Sequence, residues 1–331
     1  MQTFQSPANR SIEKNEISVK NLPVNLFASV MGISGLSLAW RLAAHQYGVS
    51  PIISGVIGLV AVIIFLILAI SYVVKIAKYP DAVMHEFRHP IAGNFFGTVP
   101  IAVLLISSLI GQVNQAIAEA VWTIGAVGTI SLAFTIFSRL VRGKIDSGHA
   151  LPAWLIPGVA TLDIAVAGGT MPMPWARELN IFSLAVGTIL ALVFFTMIVS
   201  RVIHHEKLAS GTVPSLMILI APFEVGFLAY TNFTERVDVF AAILFYFGLF
   251  LFFTLVFKVF RRSIPFTAGW WGVSFPIAAL SNAALKYADT VHLWPITALA
   301  ILLLAFLSVV IVVLFVRTVR MVFNGHLLSG R

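Results

Sequence analysis

The sequence predicts an all-α polytopic membrane protein. Three observations carry that reading: the composition, the length of the apolar runs, and the placement of lysine and arginine. Of 331 residues, 59% are hydrophobic and only 10% charged. A soluble domain carries about 25% charged residues, so charges this sparse could not cover a water-facing surface. Ten apolar runs occur, at 23–44, 52–74, 92–112, 116–138, 151–171, 180–203, 212–232, 238–257, 265–286 and 294–317. Each is near the ~20 residues a helix needs to cross a bilayer. They are continuous rather than alternating, which argues against barrel strands. Lysine and arginine then divide between alternate loops. Seventeen fall in the two tails and every second loop, and only Arg41, Arg177, Arg236 and Lys286 fall on the opposite side. By the positive-inside rule both termini are cytoplasmic, in a multi-pass protein of the inner (plasma) membrane.

Two function classes drop out on composition. Cysteine is absent, which excludes disulfides, thiolate metal sites and thiol catalysis. The formal charge of +8 comes from short clusters between apolar runs, not from a basic domain, so no nucleic-acid partner is implied.

Taken in order, residues 1–22 are polar, with Arg10, Glu13, Lys14, Glu16 and Lys20, and read as a mobile or surface-lying cytoplasmic tail. The first apolar run begins only at Pro23 and reaches Trp40–Arg41, so it reads as a retained span, not a cleaved signal. The spanning domain is 23–320, and 321–331 form a second cytoplasmic tail. Within the domain, odd and even spans differ. Pro100, Pro157, Pro222 and Pro276 lie inside spans three, five, seven and nine; spans two, four, six and eight have no interior proline. The repeat of roughly 55–70 residues suggests five helical hairpins. A proline kinks a helix and frees a carbonyl, and in lipid a broken helix belongs beside protein or a water-filled cavity. Odd spans also carry small residues, such as Gly93 with Gly97 and Gly269 with Gly272, which permit close approach. The reading is five kinked inner helices around a central pore, with five smoother helices outside; kinks that serve packing alone are the alternative.

Three features could carry chemistry. His85-Glu86-Phe87-Arg88-His89 spells H-E-x-x-H, the pattern in which two histidines one turn apart hold zinc and the glutamate acts as base. Pro90 follows at once, and no downstream motif announces a third ligand, so an intramembrane zinc metalloprotease is the alternative reading and a salt-bridged interfacial loop the main one. Asp163 and Glu224 are the carboxylates deepest in predicted spans. Such residues usually face a cavity and mark a pathway; the alternative is a neutral carboxyl bonded to backbone freed by Pro157 or Pro222. Phe275 stands before Pro276 in the kinked ninth span, where a ring can be aimed inward.

Residues Trp270-Trp271-Gly272-Val273-Ser274-Phe275-Pro276, followed by Leu285-Lys286-Tyr287-Ala288-Asp289, resemble the ninth-helix signature of the tellurite-resistance/dicarboxylate transporter family. Further matches are Glu86-Phe87-Arg88-His89-Pro90 running to Asn94-Phe95-Phe96, Pro152-Ala153-Trp154-Leu155-Ile156-Pro157, and Ile218-Leu219-Ile220-Ala221-Pro222. Together they cover about residues 23–320. The resemblance implies a homotrimer in which each protomer has its own pore, blocked by a ninth-helix phenylalanine that matches Phe275. It also implies passage of small anions, such as chloride, nitrate, sulfite or a malate-like dicarboxylate, with no cofactor and no covalent chemistry. With Ala28 and Gly32 of the first span added, the residues expected to line the pore or kink its helices are Ala28, Gly32, the four prolines, Asp163 and Glu224. The chain departs from the family pattern at Ala28, where many relatives have glycine, and at Asp163 and Glu224, where small or uncharged residues are usual. Ionised carboxylates in an anion path repel its cargo, which raises proton-linked transport as a further expectation.

Overall fold

The computed structural model describes residues 18–143 and 146–329. Arg10, Lys14, Lys144, Arg331 and most of the 1–22 tail lie outside the described residues. Eleven α-helices follow one another: α1 (Phe27–Tyr47), α2 (Pro51–Lys78), α3 (Pro80–Arg88), α4 (Thr98–Ile110), α5 (Gln115–Val141), α6 (Leu155–Gly168), α7 (Ala176–His204), α8 (Ala221–Thr234), α9 (Val239–Val259), α10 (Ser274–Val291) and α11 (Trp294–Phe323). No strand occurs among the described residues. Eight helical segments are long and apolar enough to cross a membrane, and Pro152–Gly168 is a shorter apolar one.

The prolines explain how the inner segments are built. Short 3-10 segments, Ala92–Gly97, Pro152–Trp154, Ser210–Ile220 and Ala268–Val273, run directly into α4, α6, α8 and α10. Pro100, Pro157, Pro222 and Pro276 each fall in the first turn of the α-helix that follows. There the missing N–H is one the helix would not have used, so the proline costs little and marks the change of helix type. α1 has the same construction, entered through Val24–Leu26, although no interior proline announces it.

Packing separates two sets of helices. α1, α4, α6, α8 and α10 touch in a closed ring, each against the next, and α2, α5, α7, α9 and α11 pack on them from outside. The ring members are largely buried; α2 exposes Ile52, Leu59 and Ile70, and α9 exposes Phe250 and Phe257. Apolar side chains on the outer face are what a hydrocarbon surround requires. Small residues bring the ring together. A Cβ on Gly35 of α1 would stand 2.6 Å from Ala278 Cβ of α10, and Asn282 Nδ2 of α10 donates to the Gly35 carbonyl at 2.9 Å.

The described ends of the chain meet at one end of the bundle. Ser18 N and Asn21 Nδ2 both donate to Leu328 O, at 3.2 and 2.9 Å. Ser18 and Asn21 thus lie against the bundle, and α11 continues to Phe323.

Candidate functional site

The ring encloses two chambers in series. The smaller, of about 30 Å³, is walled by Ala28 and Met31 of α1, Thr98 and Ile101 of α4 with Phe95 before it, Ile156 and Val159 of α6, Ile218 and Ala221, and Trp271, Gly272, Phe275 and Pro276. All five inner segments contribute, and Thr98 supplies the only side-chain hydroxyl. Thr98 Oγ1 donates to Phe95 O at 2.6 Å, so the wall of this neck is apolar. A space of this size holds about one or two waters, not a hydrated ion.

The larger chamber, of about 820 Å³, opens at the bundle end opposite the chain termini and mixes apolar side chains with polar and charged ones such as Arg41, Gln46, Asp163, Asn282 and Lys286. Phe275 walls both chambers. Phe275, 8% exposed, thus stands where the narrow apolar neck and the wide vestibule meet. The preceding residues hold it in place. Ser274 Oγ donates to Trp271 O at 2.7 Å and lies 3.2 Å from Ala28 O. Trp271 Nε1 donates to Thr318 Oγ1 of α11 at 2.8 Å, and Trp270 Nε1 to Pro265 O at 2.9 Å. The two tryptophans read in the sequence thus fasten the 3-10 segment that aims Phe275.

The expected path residues divide. Ala28, Phe275 and Pro276 wall the neck, and Asp163 walls the vestibule. Pro100, Pro157 and Pro222 wall neither chamber; they sit at the 3-10 to α junctions described above. Gly32 is a close-approach position, not a wall residue: a Cβ there would overlap the Ser274 side chain. Glu224 corrects the sequence expectation. It is fully buried, but its carboxyl lies in the seam between α8 and α9, where a Cβ on Gly248 would overlap it. The helix is rotated so that Val225 and Leu228 face the vestibule.

Two wall residues escaped the sequence reading. Arg41, counted there only as a topology signal, and Lys286, quoted in the ninth-helix signature but given no role, stand half-buried in the vestibule wall. Arg41 Nη1 donates to Ser108 O of α4 at 3.3 Å. Lys286 Nζ donates to Asn232 Oδ1, and Asn232 Nδ2 to Val166 O of α6 at 2.8 Å. The available signal was their position inside the predicted first and ninth spans.

The H-E-x-x-H string has another role. It lies on α3 and the residue after it, a helix rather than the expected loop. Glu86 Oε1 accepts from Val24 N at 2.8 Å, and Oε2 accepts from Lys75 Nζ at 2.6 Å and Tyr72 Oη at 3.0 Å. Lys75 Nζ also donates to Leu22 O at 2.7 Å. His89 Nδ1 accepts from the N–H groups of Ile91 and Ala92, at 3.2 and 3.1 Å. With both glutamate oxygens hydrogen-bonded, one of them to the Lys75 ammonium, and the second histidine capping backbone, these residues do not fit a zinc site. They clamp the entry to α1 onto α2 and α3. Among the described residues no group of three metal-ligating side chains comes together.

The family description "voltage-dependent anion channel" (SLAC1) matches residues 21–319. The chain belongs to the SLAC1 family. The S-type anion channel SLAH2 of Arabidopsis thaliana is 26% identical over 81% of this chain, which spans about half (53%) of that protein's length. The tellurite resistance protein TehA homolog of Haemophilus influenzae is 25% identical, covering 80% of this chain and 81% of its own. An uncharacterized transporter of Methanocaldococcus jannaschii is 25% identical over 81% of this chain and 86% of its own. These relatives agree with the resemblance read from the ninth-span signature. Membership in a family of anion channels supports anion transport across a membrane, with the neck and vestibule as the pathway on offer, and gives no support to the protease alternative.

Proposed function

We propose that the protein carries small anions through the neck and vestibule, and that Phe275 is the gate. In this reading ten segments cross the inner (plasma) membrane as five hairpins, with both termini cytoplasmic and three protomers assembled, each around its own pore. The cargo is chloride, nitrate, sulfite or a malate-like dicarboxylate; the name of the bacterial relative adds tellurite to the panel to be tried. One observation supports the reading: Phe275 walls both an apolar neck of about 30 Å³ and a wider vestibule of about 820 Å³ that carries charged side chains. A dewetted constriction stops ions without any charge, and a rotamer change of one ring opens it at small cost.

The test is anion flux into vesicles reconstituted with the parent, Phe275→Ala and Phe257→Ala. Phe257 is 80% exposed on outer helix α9, so its loss leaves the pathway untouched. Phe275→Ala is expected to raise flux at least tenfold, and Phe257→Ala to leave it within twofold. A folded Phe275→Ala variant that conducts like the parent refutes the gate.

A further inference from the structure

Asp163 does not suit an anion pathway on first inspection. It is 1% exposed, walls the vestibule from α6, and neither carboxyl oxygen accepts a hydrogen bond from the protein. The charged and titratable groups sharing its chamber are Arg41 and Lys286, half-buried, and His45, Glu235 and Asp289, exposed at the rim. One chamber wall thus combines exposed rim groups, two half-buried cations and the buried, unpartnered Asp163 carboxyl, with Phe275 in the same wall. A bare anion held by Arg41 and Lys286 meets repulsion from Asp163. An anion with its own hydroxyl can turn that group toward the carboxylate while its negative end stays with the cations.

Resting on the anion-pathway reading above, we propose that Asp163 is a specificity-determining residue that favours hydroxyl-bearing anions, the 2-hydroxycarboxylates and hydrogen-bearing oxyanions, over anions lacking a donor. The O–H of the cargo donates to an Asp163 oxygen, and the charge of the cargo stays on the Arg41 and Lys286 side. Hydrogen bonds to a charged group are about twice as strong as neutral ones. A buried site built to pair a substrate hydroxyl rejects the analogue without it by several orders of magnitude. The vestibule is open to water, so a smaller preference of about tenfold is expected.

Glycolate and acetate differ by that hydroxyl and carry the same charge. Their flux is compared in Phe275→Ala vesicles, so that the gate does not limit either, with protein-free vesicles subtracting leak. Glycolate should pass about tenfold faster. Adding Asp163→Asn should bring the ratio near one, mainly through faster acetate, and Asp163→Glu should keep the preference. Equal glycolate and acetate flux with Asp163 intact overturns the proposal without any further variant. So does an unchanged ratio in folded Asp163→Asn, the result expected if Asp163 is a neutral structural carboxyl. If no anion passes in any variant, the anion-pathway reading itself has failed.

Discussion

Replacing Gly35 by alanine should force α1 and α10 apart about one turn from Phe275. The new methyl would stand 2.6 Å from Ala278 Cβ, so ordinary carbon contact near 3.5 Å requires about 1 Å of retreat. Neither side can give by rotation, because a Cβ is fixed by its backbone. Sliding is opposed too, since Asn282 Nδ2 bridges the Gly35 and Ala278 carbonyls at 2.9 and 2.8 Å. Overpacking costs about 1–3 kcal/mol, with the rigid overlap placing this case near the top. Up to about 1 kcal/mol returns because alanine favours helix over glycine. The expected net loss is about 2 kcal/mol, read as a few degrees of melting temperature in one detergent at a fixed scan rate. Moving the methyl across the seam tests the cause. In Gly35→Ala/Ala278→Gly the propensity changes cancel and the overlap disappears, so the double variant should melt close to the parent. The coupling energy should exceed about 1 kcal/mol. Because Phe275 lies one turn before Ala278 on α10, the single variant should also alter basal flux, and the double variant should restore it. Additive melting shifts, with coupling near zero, would refute the close approach of α1 and α10.

Three further outcomes follow from groups outside the neck and vestibule walls. Glu86→Gln keeps the shape of the clamp but leaves Lys75 without its anionic partner; hydrogen bonds to charged groups contribute about 1.5–3 kcal/mol, so stability should fall by that order. A chelator should change neither melting nor flux, and loss of either on chelation would restore the metal reading. At the start of α9, Tyr230 Oη donates to Asp238 at 2.6 Å and Ala241 N at 3.0 Å. These bonds, that of Tyr230 foremost, hold the Asp238 carboxyl below the usual range. A depressed folded value means stabilisation is fully present above the unfolded value near 3.9 and lost as pH falls through the folded one. Asp238→Asn should flatten this acid dependence in melting curves, and an unchanged curve would remove Asp238 from it.

The sequence by itself determined the membrane class, the positions of the apolar segments, the family, and the phenylalanine beside Pro276. These are legible because span length, charge placement and proline chemistry are local properties. The four prolines mark changes of helix type that the structure also has before α1, where Val24–Leu26 carries no proline and gave no warning. Tertiary structure decided which side chains meet the path. Asp163 and Glu224 carry the same signal, a carboxylate deep in an odd span, yet one walls the vestibule and the other fills the α8–α9 seam. Arg41 and Lys286 looked like loop charges and turned out to be vestibule walls. The reason is physical. An outer helix shows its orientation through an apolar face and a packed face, but inner helices are buried all round and have no hydrophobic stripe to set their rotation. One residue is about 100° of turn, so the choice between path and seam rests on contacts between helices distant in sequence.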